Sequence, residues 1–173
     1  DEETRRAIAN GKHLSTLAFS ESGSRSHFWA PVSTAEKTLD GVQLNAKKSW
    51  VTSANQATAY VWSSQALAAD GGSTIWLVPR TADGLSTDGP FTGLGMRGND
   101  STPIHANQVT ISEGAQLGAD GAGFQIMMET VLPWFQVMNS ACSVGLMEGA
   151  LTRTCEHASG TRYQHLDTAL ADL

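Results

Sequence analysis

The sequence has 173 residues, of which 40% are hydrophobic and 16% are charged, so it can bury a core and is not a disordered tail. The formal net charge of −6 leaves no Lys/Arg-rich face for phosphates, which argues against a nucleic-acid partner. The apolar runs are too short to cross a bilayer and no signal-peptide pattern opens the chain, so we expect no membrane partner.

Residues 2–10 have the pattern of a helix end, which Gly11 terminates. From Lys12 to about Ser112 the pattern is that of β-structure, with Asp-Gly turn signals between apolar segments. Six strands are predicted, at residues 13–19, 28–34, 42–51, 57–65, 73–79 and 104–111. Because no helix intervenes between them, the spacing predicts an antiparallel sandwich or barrel-like domain.

After Gly123 the apolar residues recur at helical spacing, which predicts a long helix that ends near Gly160. Pro133 lies inside this pattern and is expected to kink or interrupt the helix. A second helix begins near Gln164 and stops at Leu173 in mid-pattern. Neither this second helix nor the helix end at residues 2–10 has a partner to pack against. We therefore expect the chain to be a piece of a longer protein.

The two cysteines, Cys142 and Cys155, both lie in this long predicted helix. Thirteen helical residues span about 20 Å, which is too far for a disulfide bond. Neither cysteine has a His or Cys neighbour at metal-ligand spacing, so no metal site is expected. We interpret both as reduced core thiols, which favours a cytoplasmic location.

Two of the predicted strands end in loops of small polar residues, within residues 13–27 and 47–55. Such ends present backbone N–H groups and hydroxyls, which are the groups that bind a polar ligand. Considered singly, Ser20 and Ser26 are also typical turn residues, and Trp50 is also a typical core residue.

Four segments resemble the acyl-CoA dehydrogenase family of flavoproteins. A-F-S-E-S-G-S-R-S-H (18–27) is similar to its T-E-P-G-A-G-S-D loop, and L-N-A-K-K-S-W-V-T-S (44–53) to its L-N-G-x-K-x-W-I-T-N strand. L-G-M-R-G-N-D-S-T (94–102) resembles M-G-x-R-G-S-x-T. Q-V-T-I-S (108–112) and L-G-A-D-G-A-G-F (117–124) resemble the V-x-V-P and L-G-x-x-G-x-G-F segments that precede a long helix.

The resemblance implies three regions. These are the end of an N-terminal helical domain (1–11), a middle flavin-binding β-domain (12–112) and the start of a C-terminal helical domain (113–173). The implied fold is mainly β followed by α, with a long helix that opens a helical bundle. The family's assembly further implies self-association.

The resemblance also implies an FAD site. Ser20 matches the residue at the pyrimidine edge of the flavin, and Ser26 the residue at the pyrophosphate. Trp50 matches the indole that covers the isoalloxazine, and Thr52 the hydroxyl near N5. Phe19, which precedes Ser20, completes the predicted cofactor-binding set.

The implied reaction is α,β-dehydrogenation of an acyl-CoA thioester, with hydride transfer to N5 of FAD. The common position of the catalytic Glu lies beyond Leu173, and the position that some members use instead holds Phe135 and Gln136. Neither side chain is a carboxylate base, so the catalytic residue is unknown. Arg97 is expected to bind backbone carbonyls of its own loop, while Arg25 is either solvated or paired with the pyrophosphate.

Two alternatives remain open. One is a flavin-dependent monooxygenase of the same fold, which needs no carboxylate base. The other is a non-catalytic β-domain that acts only in assembly. A catalytic role would further require an electron acceptor or a flavin reductase as a partner.

Overall fold

The computed structural model describes residues 1–89, 91–95 and 97–160. The chain divides into two compact units, residues 1–127 and a second unit that starts at Met128. The helix predicted from about Gln164 lies outside the described residues.

The first unit begins with helix α1 and continues as a β-domain. The Asp1 side chain caps α1 (Glu2–Ala9) by accepting a hydrogen bond from the Thr4 amide at 2.7 Å. The strands are β1 (Ser15–Ala18), β2 (Thr34–Thr38), β3 (Gly41–Val51), β4 (Ala59–Gln65), β5 (Ser73–Pro79), β6 (Leu85–Thr87), β7 (Thr102–Ile111) and β8 (Gln116–Leu117).

These strands form two four-stranded sheets, ordered β1-β4-β5-β8 and β2-β3-β7-β6. Strand β1 pairs with β4 in parallel, and every other strand pair of the described residues is antiparallel. The mainly β prediction is therefore confirmed. Neither sheet closes on itself among the described residues, so the barrel-like part of the prediction is not confirmed.

One apolar core joins the two sheets. Trp62 and Trp76 come from β4 and β5 of the first sheet, and Leu44 and Val109 come from β3 and β7 of the second. All four side chains are fully buried in one cluster. The core therefore lies between the sheets, as in a β-sandwich.

The predicted strand at 28–34 is wrong. Residues 28–33 are turns and coil, and β2 starts only at Thr34. The physical reason is a carboxylate: Glu21 accepts hydrogen bonds from the amides of Val32 (2.7 Å) and Ser33 (3.0 Å). These N–H groups bind a side chain and so are not used in strand pairing.

The helical segment changes type along its length. It begins as α2 (Gly123–Gln125), passes through a π-helical turn (Ile126–Val131) and continues as α3 (Leu132–Gly160). Pro133 is the second residue of α3 and has no N–H to donate to the preceding turn, so the predicted irregularity takes the form of a π-turn that ends two residues before it. No helix among the described residues has the length and apolarity needed to cross a membrane.

The cysteine prediction needs correction. Both thiols are free, but Cys142 is exposed and Cys155 only half-buried on α3. The same helix exposes large apolar side chains, including Trp134 and Leu146. Helical spacing identified an apolar helix, but the residues described here provide no core for these thiols to enter.

Candidate functional site

The two predicted strand ends lie side by side. The Ser49 amide donates a hydrogen bond to the Ser20 carbonyl at 2.9 Å, and Glu21 forms an antiparallel bridge with Lys48. Strand β1 belongs to one sheet and β3 to the other, so the chain after Ala18 leaves its own sheet to pair with the second. The polar loop after Ser20 is thereby fixed beside the end of β3.

Trp50 is turned outward by a β-bulge. The register of β3 against β7 shifts between Lys48 and Val51, and Trp50 has a left-handed backbone conformation with φ of 58°. Its side chain stays 67% exposed although Phe91 stacks on it, with ring centroids 4.3 Å apart and 26° between the planes. An exposed indole beside a second aromatic ring can cover a planar ligand. Within the described residues, Trp50 therefore lies outside the core.

The other predicted site residues occupy different environments. Ser20 is half-buried next to the bridge, and Ser26 is exposed in a turn-rich loop with φ of 68°. Within the described part of the chain, neither hydroxyl has a hydrogen-bond partner. Thr52 is exposed, with its Oγ1 3.4 Å from the Ser101 hydroxyl. Phe19 is only 6% exposed, so its ring lies in the interior.

A buried ion pair joins the two strand ends, and sequence reasoning missed it. Lys48 and Glu21 have side chains that are 0% and 2% exposed and are in direct hydrogen-bonded contact. Lys48 Nζ also donates to the Ser63 carbonyl (2.6 Å) and contacts its hydroxyl (3.0 Å). Burial lowers the pKa of Lys48 to about 8, although the Glu21 carboxylate opposes this shift. A signal was present, because Lys48 continues the two-residue spacing of the apolar face of β3.

The Gly-rich loop, described at residues 93–95 and 97–101, lies against the turn after Trp50. Asp100 accepts hydrogen bonds from the Asn55 amide (2.9 Å) and from its side-chain Nδ2 (3.0 Å). The amides of Ser53 and Ala54 donate to the carbonyls of Asn99 and Asp100. Arg97 Nε donates to the Gly93 carbonyl at 2.6 Å, which confirms that this guanidinium binds its own loop.

A cleft opens between Trp50 and this loop. It has a volume of about 390 Å³ and is lined by Trp50, Phe91, Gly93, Gly95, Arg97, Asn99 and Ser101. Its wall combines two aromatic rings with polar groups. Such a mixture is typical of sites that bind an aromatic ligand with a polar edge.

A larger cleft of about 710 Å³ lies where the loop that starts at Ser20 returns towards β2. Trp29, Phe124 and the loop 65–73 line it. Asp120 holds that loop by accepting hydrogen bonds from the amides of Leu67, Ala68 and Ala69 and from the Thr74 hydroxyl. Burial alone raises the pKa of Asp120, but these hydrogen bonds outweigh it and lower the pKa to about 2.

The exposed groups at the two strand ends fit a flavin. The exposed Trp50 indole and the unpartnered hydroxyls of Ser20 and Ser26 are an apolar wall and hydrogen-bonding groups of the kind a flavin needs. In contrast, the described residues contain no group of three or more His, Cys, Asp or Glu side chains able to hold a metal.

Comparison with known proteins gives a consistent result. The family model for the acyl-CoA dehydrogenase middle domain matches residues 16–109. Rice isovaleryl-CoA dehydrogenase is 30% identical over 83% of this chain and 36% of its own length, and human short-chain specific acyl-CoA dehydrogenase is 28% identical over 96% and 42%.

Among solved structures, an FAD-dependent dehydrogenase is 27% identical, with a TM-score of 0.82 over 96% of this chain and 47% of that chain. The chain thus spans less than half the length of each of these three proteins. The family match covers more than half of the chain and includes both strand ends that form the site. The chain therefore belongs to the acyl-CoA dehydrogenase family, within which it matches the middle domain.

Proposed function

We propose that this chain supplies the flavin-binding part of an oxidoreductase that α,β-dehydrogenates an acyl-CoA thioester. The single observation that carries the proposal is the outward-facing Trp50 indole, held at a strand end that is hydrogen-bonded to Ser20. FAD, when bound, supplies an acceptor at N5 for the hydride that leaves the β-carbon of the thioester.

The residues of this chain bind and orient the cofactor. Trp50 covers the ring system and excludes water from it, and Ser20 offers a hydroxyl to its polar edge. Thr52, two residues after Trp50, offers a hydroxyl that lies 3.4 Å from the Ser101 hydroxyl. Ser26 binds the pyrophosphate through its hydroxyl and its own amide, and Phe19 contributes only through its backbone.

An acyl-CoA is a long ligand that needs an extended cleft. The larger cleft by Trp29 and Phe124 adjoins the loop that starts at Ser20, and residues 65–73 also line it. We therefore assign the substrate to that side of the loop. Phe135 and Gln136 lie on α3 and cannot remove a proton, so the base is not assigned to this chain.

The surrounding organisation is part of the proposal. We keep the division at residues 11 and 112, with a helical domain on each side of the β-domain, and we propose self-association and an external electron acceptor. A cytoplasmic location also stays a prediction; the human relative named above carries a mitochondrial designation. Subcellular fractionation decides between the two locations.

The experiment is flavin reconstitution followed by reduction. We expect the 173-residue chain alone to bind FAD weakly or not at all and to lack turnover, so the experiment uses the full-length protein. The purified full-length protein is mixed with FAD, freed of excess ligand and titrated anaerobically with short- and branched-chain acyl-CoA thioesters. We expect retained flavin absorbance that bleaches on addition of a thioester. Retained flavin that no thioester bleaches, but that consumes oxygen with a flavin reductase and NADH, would favour the monooxygenase. Loss of all flavin would refute both and leave the assembly role.

A further inference from the structure

The Glu21–Lys48 pair lies between the residues assigned to the flavin. Glu21 directly follows Ser20, and Lys48 lies two residues before Trp50. Neither charged group reaches solvent, so neither can contact the ligand itself. The pair therefore affects the site only through the backbone that it fixes.

Every polar atom of the pair has a protein partner. One Glu21 oxygen contacts Lys48 Nζ and the Ser33 hydroxyl (2.6 Å), and the other accepts from the amides of Val32 and Ser33. Lys48 Nζ contacts both oxygens of Ser63 on β4. The Trp62 ring, 5.0 Å from Nζ, covers the ammonium group.

This network joins four separate parts of the chain. It includes the residue after the first strand end (Glu21), the end of β3 (Lys48), the centre of β4 (Ser63) and the return of the loop at Ser33. The loop 20–33 is thus held at both ends by one carboxylate, while the exposed residues between those ends have few such contacts. Lys48 in turn holds this carboxylate in place, so removal of the Lys48 cation loosens the contact at both ends of the loop.

We infer that Glu21 and Lys48 are positioning residues of the proposed flavin site. They fix the loop 20–33 against the strand end that carries Trp50. The inference rests on the proposed function for the identity of the ligand, but its structural part applies to the protein without ligand. A bulky or charged group in the interior that served only general stability would have no specific effect on this loop.

The experiment compares three variants of the whole protein. Lys48→Met removes the cation and keeps the length of the side chain. Lys37→Met removes the exposed Lys37–Glu113 pair, whose N···O distance is 3.0 Å, and serves as the matched ion-pair control. Val109→Ala shortens a fully buried side chain on β7 and serves as the control for lost stability.

Two measurements are made with each of Lys48→Met and Val109→Ala at its own denaturant concentration, chosen so that both have the same free energy of unfolding. The first is hydrogen exchange at the Val32, Ser33 and Ser49 amides, and the second is the FAD dissociation constant. We expect Lys48→Met to exchange these amides at least tenfold faster and to bind FAD at least tenfold more weakly than Val109→Ala. Lys37→Met is expected to match the wild type in both.

Equal exchange and equal FAD binding in Lys48→Met and Val109→Ala would overturn the inference, because the pair would then act only through overall stability. Faster exchange with unchanged FAD binding would overturn its positioning role while leaving the proposed flavin function intact. Absence of FAD binding in the wild type would instead refute the proposed function, and the exchange measurement would still decide whether the pair holds the loop.

Discussion

Trp50 combines a bulky side chain with a backbone conformation that L-residues avoid. Its φ of 58° lies in the left-handed region, which costs about 1–2 kcal/mol for residues with a Cβ atom. Backbone strain of this kind persists where the surroundings impose it, and it is common at ligand sites. We therefore predict that this position is optimised for the ligand at the expense of stability.

A pair of substitutions separates the two contributions. Trp50→Ala and Trp50→Gly both remove the stack with Phe91, which we estimate at about 1 kcal/mol. Only glycine also relieves the left-handed strain, but it adds about 0.5–1 kcal/mol of backbone entropy in the unfolded state. The balance makes Trp50→Gly more stable than Trp50→Ala by about 0.5–1 kcal/mol, and close to the wild type.

Urea unfolding measures this difference. Removal of Trp50 leaves four of the five tryptophans, and the fully buried Trp62 and Trp76 report the loss of the core through their fluorescence. The slopes of the three unfolding curves should agree, because the surface exposed on unfolding is nearly unchanged. FAD retention should fall in both variants, since both lack the indole.

The contradicting result is specific. If Trp50→Ala is as stable as Trp50→Gly or more stable, the left-handed strain is not present in solution. If both variants keep the wild-type flavin content and spectrum, Trp50 does not cover the flavin ring. The proposed flavin site is then wrong, even if the left-handed backbone strain at Trp50 is real.

Three further predictions concern buried and clamping polar groups. Lys48→Met leaves the Glu21 carboxylate buried without its cation and should lower the free energy of unfolding by about 3–5 kcal/mol; adding Glu21→Gln should recover most of this loss in urea titrations. The pKa of Asp120 is about 2 in the folded protein, below its ordinary value of 3.8. Its hydrogen bonds therefore add about 1 kcal/mol to the free energy of unfolding, allowing for solvent screening. This contribution is present above pH 4 and is lost as the pH falls towards 2. Asp120→Asn should therefore flatten the acid limb of a stability–pH curve, and an unchanged limb would contradict the clamp. Asp100→Asn keeps a residue that tolerates the left-handed φ of 51°, but it replaces an acceptor with a donor opposite Asn55. It should lower the free energy of unfolding by about 1–2 kcal/mol and speed hydrogen exchange at the Asn55 amide. No effect on exchange would refute the role of that contact.

The strands with simple alternation or continuous apolar character were predictable from the sequence. Residues 73–79 form β5 with the predicted bounds, because this apolar segment lies between clear turn signals and is covered on both faces. The segment 28–34 failed because its amides bind a carboxylate from Glu21, and no local pattern encodes a contact between positions that far apart.

The site was predictable only in part. The two strand ends were found because small polar residues followed them, and the resemblance supplied their pairing. The stack between Trp50 and Phe91 joins residues with no shared local pattern, so the sequence offered no signal for it. For Lys48 the period-two spacing indicated an inward side chain, but a buried lysine is rare unless it is paired, and its partner Glu21 lies in a different segment.

The β-bulge is what allows one strand end to serve both the core and the site. In a regular strand, Lys48 and Trp50 would share a face, because side chains two residues apart point the same way. The bulge inserts one residue before Val51, so Lys48 and Val51 are both buried while Trp50 is turned out. The buried lysine and the exposed indole therefore depend on the same irregularity. A substitution that restored regular pairing here would have to bury the Trp50 indole or expose the Lys48 ammonium group. Either change would separate Ser20 from the exposed face of the Trp50 indole.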